Sequence, residues 1–504
     1  MGVRYFLGVD IGTYESKGVL IDQDYNLVAS RSAKHGLENP QPNFYEHDAE
    51  SVWWQDLCEI TRGLIAEAGI DPAQIACVGT SALGADCLPV DENCRPLRKA
   101  ILYGIDSRAV GEMAFMDGYY GEEKVNALWG RPLCSSDVAP KILWIKNNEP
   151  EIYQKTYKFL TATSYLTAKL TGSYVIDKFL INTFAPCYKP DGSIDEELCQ
   201  PYCRPDQLAE CRGTMDIVGT VSAQAAAETG LAEGTPVITG TDDAGAEAIS
   251  TGIFVPGDMM VMLGSSCYLI YCSDRMVIDP RLWHDTFILP GAYSITGGTN
   301  NAGTVTRWYR DNIFFDKLAQ QEEGGRNAYE SILDELESIP AGSDGLITLP
   351  YFAGERTPIN DPLARGLIFG LTLQHTRAHM YKSALEGVGY SIAQHLDIIS
   401  ENGQPLTKIM AVGGGTQNKL WLQIIADISG HVIQTAKITI GASFGDALLA
   451  AVAAGNSASF ADLDEKIAPA EVYTPNPDNQ ALYARYRKVF DELYLRTKDL
   501  MRAL

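Results

Sequence analysis

Residues 5–22 set two short apolar runs around one polar turn. Phe6, Leu7 and Val9 lead into Asp10 and Ile11; Gly12, Thr13, Tyr14, Glu15, Ser16 and Lys17 interrupt; Val19, Leu20 and Ile21 resume before Asp22. The pattern predicts strand, tight turn, strand. Residues 259–271 repeat it, with the turn Gly264-Ser265-Ser266 between apolar runs. One such hairpin in each half predicts two related units.

Between and beyond them the periodicity alternates strand and helix. Strands are expected at 27–32, 75–80, 88–91, 236–240, 345–351 and 409–412. A helix runs to about residue 68, with Asp48 as N-cap and Gly69 as stop. Further helices are expected after Pro140, within 151–170 apart from 161–164, and at 329–339, 376–400, 420–429, 441–455 and 480–504. Residues 172–191 read as turn-rich. An apolar run at 96–106 ends in Tyr103-Gly104-Ile105-Asp106-Ser107-Arg108.

The length, 504 residues, exceeds one ordinary core and predicts two large domains. With 46% hydrophobic and 21% charged residues the chain reads as soluble and globular rather than disordered. A net charge of −24 argues against nucleic acid or an anionic membrane as partner. It leaves room for a nucleotide held by local N–H groups and a metal. No stretch reads as a signal peptide or a membrane span. Eleven cysteines without C-x-x-C pairs predict a cytoplasmic protein with reduced thiols. Cys199, Cys203 and Cys211 lack a fourth ligand and read as loop cysteines rather than a metal site. His375 and His379, four apart, read as helix-start residues for want of a third ligand.

Candidate chemistry collects at the carboxyl ends of the expected strands, where α/β sheets place ligands. Asp10 closes the first strand, beside a turn whose N–H groups, with Gly12 and Thr13, could cradle a phosphate while the acid holds a metal. Asp242 and Asp243 follow the strand at 236–240. They suit a general base for a substrate hydroxyl, or an acidic cap for the next helix, or both. Asp106 is balanced between a ligand contact and a surface acid or cap, and for Asp86 the cap reading is the stronger. Trp53 and Trp54 cannot both face one side of a helix; core packing is the ordinary expectation, and Trp54 is the candidate to stack on a sugar face. The run Gly297-Gly298-Thr299-Asn300-Asn301-Ala302-Gly303 and the turn Gly413-Gly414-Gly415-Thr416-Gln417-Asn418 let backbone approach a flat base or phosphate.

Taken together, these motifs resemble the FGGY carbohydrate kinases, the family of glycerol kinase, xylulokinase, ribulokinase and gluconate kinase. The resemblance runs from Tyr5 to about Gly455. Its most specific element is Gly366-Leu367-Ile368-Phe369-Gly370-Leu371 followed, after seven residues, by His379-Met380-Tyr381-Lys382-Ser383-Ala384-Leu385-Glu386. A first-half signature around Lys141, Trp144 and Asn147-Asn148 departs only at Val138. The resemblance implies an α/β fold of two actin-like (ribonuclease H-like) ATPase domains, 1–246 and 247–504, closing on Mg²⁺-ATP and a sugar. It implies Asp243, in preference to Asp242, as catalytic base and metal-side acid, and Asp10 as a metal- and substrate-side acid. Gly12 and Thr13 would form one phosphate loop, Gly264, Ser265 and Ser266 the other, with Gly303 beside them. Gly413, Gly414, Gly415 and Asn418 would hold adenosine. Asp86, Asp106, Asp242 and Trp54 would be substrate contacts, Asp106 and Arg108 resembling a W-x-D-x-R segment with Gly104 at the Trp position. A homodimer is a family-level expectation.

Leu83-Gly84-Ala85-Asp86 replaces the Gln-Met-His-Gly of xylulokinases, and the Arg-Glu pair of glycerol kinases is absent. The expected substrate is a ketopentose such as xylulose, with ribulose, a polyol or glycerol, a hexulose, or gluconate as alternatives. Two other classes compete: an ATP-driven regulator of the actin superfamily, and a non-catalytic relative. Retention of Asp10, Asp243 and both turns speaks for the kinase.

Overall fold

The computed structural model describes residues 3–121, 124, 133–438, 440–464 and 469–504. Both hairpins form. Tyr5–Ile11 and Glu15–Asp22 pair antiparallel, as do Asp258–Leu263 and Cys267–Ser273. Each first strand also pairs in parallel with a later one: Tyr5–Ile11 with Ile75–Ala82, and Asp258–Leu263 with Lys408–Val412. Leu27–Lys34 and Tyr293–Thr299 take the third antiparallel place, while Pro236–Ile238 and Ile433–Ala436 extend the parallel side. The two sheets share one plan, each with a helix between its third strand and its central parallel strand, Gln55–Ala68 and Arg377–Glu401.

Local signals explain most boundaries. Asp48 accepts from the N–H groups of Glu50 and Ser51, and Gly69 ends the helix in the left-handed region at φ 61°. Pro140 lies inside the Val138–Asn148 helix rather than before it, in the first turn, where its missing N–H costs nothing. The interruption expected at 161–164 is instead a strand, Lys158–Leu160, and Thr161 caps the next helix. Tyr293–Thr299 is a strand although it contains Gly297 and Gly298. A Cβ at 298 would meet the Cys267 oxygen at 2.2 Å, so glycine permits the pairing there.

Each half has its own apolar core. A third cluster, including Phe6, Cys77, Met260, Met410 and Phe444, lies between the sheets. The helix Ala442–Ala453 belongs to the second half in sequence but seats on the first sheet. A Cβ at Gly8 would meet the Ser443 oxygen at 2.0 Å, and one at Gly79 the Asp446 oxygen at 2.4 Å. The expected division at 246/247 falls inside the helix Asp243–Ser250, and the chain passes between sheets at 251–257. Among the described residues no helix is long and apolar enough to cross a membrane.

Candidate active site

Strand register assembles the acids. Asp10 lies opposite Ser81 on one side of the Ile75–Ala82 strand, Thr241 lies opposite Ser81 on the other, and Asp242 is beside Ala82. Ser81 Oγ donates 2.7 Å to Asp446 Oδ2 and sits 3.2 Å from Asp10 Oδ1. Asp243 opens the helix Asp243–Ser250, and Asp242 caps it by accepting the Gly245 N–H at 2.7 Å. The cap expected of the acidic pair falls to Asp242.

Burial and mutual repulsion raise these carboxyls. Asp10 is pushed up to about 8 by desolvation first, then by the charges of Asp243 and Glu247. Burial raises Asp243 to about 6, and burial with the Asp243 charge raises Glu247 to about 7. Asp242 and Asp446 are also held well above the carboxylate range by burial.

Asp86 is fully buried, and among the described residues no side chain hydrogen-bonds either carboxylate oxygen. Burial raises it, opposed by the charge of Lys141 and the Tyr103 backbone and reinforced by Asp243. Lys141 is itself buried, donates 2.6 Å to the Ser135 oxygen, and is lowered by desolvation. Asp106 is occupied differently: it pairs with Arg108 and accepts the Tyr45 N–H at 2.6 Å. Trp54 is buried against Glu228, to which its indole N–H donates at 2.5 Å, and Lys169 lies 4.9 Å from its ring. These partners account for Trp54 as a packed helix residue, the ordinary expectation for both tryptophans.

A cavity of about 540 Å³ opens in the second half, lined by Gly264, Ser265, Gly303, Gly414, Gly415 and Asn418, with Arg307, Asn327 and Tyr329 also in its wall. The Gly264 turn is bound to the start of the helix Gly303–Asn312: Gly303 N–H donates 2.9 Å to the Gly264 oxygen, and Ala302 N–H donates 3.0 Å to the Ser265 oxygen. A Cβ at 303 would meet the Gly264 oxygen at 2.6 Å. Met262 pairs with Val412, which brings Gly413 and its φ of 87° beside this turn. Asn418 caps the Lys419–Ser429 helix through the Trp421 N–H. In the first turn, Thr13 Oγ1 lies 3.0 Å from the Tyr103 hydroxyl, and His35 Nε2 lies 3.0 Å from the Gly12 oxygen.

Two family profiles match. "FGGY family of carbohydrate kinases, N-terminal domain" matches residues 5–250, and the corresponding C-terminal domain matches 259–454. The chain belongs to the FGGY family of carbohydrate kinases. It is 27% identical over 511 residues to a xylulose kinase of Bacillus subtilis, covering 100% of this chain and 99% of that one. It is also 27% identical over 492 residues to a gluconokinase of the same species, covering 97% and 95%. Among solved structures, the xylulose kinase of Rhodospirillum rubrum superposes with a TM-score of 0.89 at 27% identity, covering 99% of this chain and 100% of that one. The fold is the two-domain actin-like fold of these kinases, and the chain is an ATP-using phosphotransferase acting on a sugar hydroxyl.

The kinase's residues suit both ligands its chemistry calls for. Adjacent buried acids that raise one another are a donor set for a hard divalent cation. A Cβ at Gly414 would meet nothing within 4 Å, so the cavity is open at the glycine turn that begins at Gly413. Several site residues were not legible in the sequence: Glu247, Asp446, Ser81 and the His35–Asp56 pair. Asp56 takes 2.8 Å and 2.6 Å contacts from His35 and Ser16 and so braces the Gly12 turn. Lys17 turns to Glu15, at 3.7 Å, in partly exposed surroundings. His379 faces Thr376 and Asp344 as a helix-start residue. The thiol expectation is corrected: Cys187 and Cys199 are joined as a disulfide because the strand bridge Tyr188–Ile194 folds their backbones together, with Cα atoms 5.0 Å apart.

Proposed function

We propose that this kinase transfers the ATP γ-phosphate to a hydroxyl of a neutral sugar, with a ketopentose such as xylulose as the leading substrate. The observation that carries the reading is the acid cluster around Asp10 and Asp243 at the strand ends. Asp243 is the base: a sugar hydroxyl is a weak nucleophile, and a carboxylate poised at about 6 is ionised at neutral pH yet basic enough to accept its proton. Mg²⁺ held by Asp10 and Asp243 would supply neutralisation of the phosphate charge. Gly12 and Thr13 from one half and Gly264, Ser265 and Ser266 from the other would direct N–H groups at the phosphates, while Gly303, Gly413, Gly414, Gly415 and Asn418 would seat the adenosine. The first half, to about residue 250, supplies the base and the sugar contacts; the second supplies the nucleotide cavity.

Charge favours a neutral acceptor over an aldonate. Asp243 acts on Asp10, Asp86 and Asp242, and the buried Lys141 opposes Asp86. A substrate carboxylate would face the ionised Asp243, whereas buried carboxyls held in their neutral form at Asp86 and Asp242 suit the hydroxyls of a neutral sugar. We assign Asp86 and Asp242 to the sugar side and give Asp106 the part of orienting Arg108. ADP release measured with xylulose, ribulose, glycerol and gluconate tests this. Xylulose or ribulose should give the highest kcat/KM; a preference for gluconate overturns the neutral-acceptor reading, and no sugar-dependent release overturns the reading altogether.

A further inference from the structure

Cys187, Cys199 and Cys203 are buried, and their sulfurs all lie within 4.8 Å of one another. The backbone builds this cluster from two directions. Asp195 N–H donates to the Cys187 oxygen at 2.6 Å, closing the 188–194 hairpin and carrying Cys187 to the one-turn helix Glu196–Cys199. Cys203 N–H then donates 3.0 Å to the Cys199 oxygen, which continues the turn and aligns a third sulfur. Cys187 Sγ and Cys203 Sγ are 3.8 Å apart. Zinc–sulfur bonds of about 2.3 Å at a tetrahedral angle put two sulfurs about 3.8 Å apart. A disulfide between Cys187 and Cys199 uses two of the three and gives the third no task.

We propose that the reduced kinase binds one thiophilic cation, of the Zn²⁺ class, through the thiolates of Cys187, Cys199 and Cys203. Three sulfurs with no carboxylate or imidazole select a borderline or soft ion over Mg²⁺ or Ca²⁺. Lys146 and Arg204 bring positive charge to Cys203 and offset the negative charge of a trithiolate complex; Lys146 is anchored 2.9 Å from the Pro201 oxygen. Cys211 is outside the cluster, beside Gly192. A phosphine reductant converts the disulfide to two thiols, with water supplying the oxygen of the phosphine oxide and the two thiol protons. The cation then replaces three thiol protons, which pass to buffer, and forms three metal–sulfur bonds. The site lies on the segment that reaches the second half of the molecule, where Thr286 Oγ1 donates 2.6 Å to the Lys178 oxygen and Phe179 packs on Phe287.

The test uses the full chain, reduced with a phosphine and titrated with Cd²⁺ as a spectroscopic stand-in for Zn²⁺. The expected result is a thiolate-to-metal charge-transfer band saturating at one Cd²⁺ per chain. The band should be lost in Cys203→Ser and kept in Cys211→Ser. Mapping of alkylated cysteines in the wild-type protein, with and without Zn²⁺, needs no variant; Cys187, Cys199 and Cys203 should be protected together. A wild-type protein without the band, an undiminished band in Cys203→Ser, or protection of a different set of cysteines overturns the proposal.

Discussion

Gly445 lies against the main-chain oxygen of Ala246 so closely that a Cβ at position 445 would come within 1.9 Å of it. The two helices that meet there carry Asp243 and Asp446, one from each half of the chain. Their crossing therefore fixes Asp243, the proposed base, relative to the second half. Gly445→Ala should force them apart, lowering stability by roughly 1–3 kcal/mol and raising KM for ATP through the displaced cleft. Denaturant unfolding and steady-state kinetics check both; unchanged values for the two would remove the crossing from the mechanism.

Asp243→Asn keeps the volume of the side chain and removes the proton acceptor. Turnover should fall by about 10²–10⁴, while ATP binding measured by calorimetry stays near the wild-type value. In the wild type, log(kcat/KM) should decline with falling pH below about 6, where the carboxyl takes up its proton. Undiminished turnover in Asp243→Asn would transfer the base to Asp242.

Glu386 ends the most specific signature in the sequence, yet it lies outside the acid cluster. It accepts from Gly342 N–H at 2.8 Å, Ser343 Oγ at 2.8 Å and the Tyr483 hydroxyl at 2.9 Å. It thus ties the Arg377–Glu401 helix to the C-terminal helix Pro477–Met501. Glu386→Ala leaves three donors without their acceptor and should cost roughly 2–4 kcal/mol, with KM for sugar little changed. A Tm equal to that of the wild type would refute this.

How much of this was legible follows from where each signal resides. The hairpins were readable because Gly12 and Gly264 break apolar runs locally, and the glycine turn because Gly413 to Gly415 stand between a strand and a helix. The strand at Tyr293–Thr299 was hidden by Gly297 and Gly298, which lower strand propensity but are needed for close approach to Cys267 and His395. Asp446 sits in a stretch whose small residues signal only close packing; its meeting with Ser81 spans 365 positions and has no local trace. Cys187 lies twelve residues before Cys199, and nothing local in the sequence marks the bridge Tyr188–Ile194 that brings the two together. The packing of Trp54 was not legible because an aromatic beside another aromatic does not reveal which face meets Glu228.

Asp10 links pH, metal and stability. Its carboxyl is raised from 3.8 to about 8, so the folded protein binds that proton more tightly than the unfolded chain does. The resulting stabilisation is complete below about pH 4 and is lost as pH rises through about 8, in the absence of metal. Asp10→Asn, which carries no charge, should therefore raise the Tm of the metal-free protein most above about pH 8 and change it little near about pH 4. If Mg²⁺ binds at Asp10 as proposed, it must displace the Asp10 proton, and its apparent affinity in the wild type should weaken as pH falls below about 8. Thermal melts with and without Mg²⁺ across this range, on wild type and Asp10→Asn, test both expectations. A variant Tm gain independent of pH would indicate simple repacking, and a Mg²⁺ dependence unchanged by the substitution would move the metal away from Asp10.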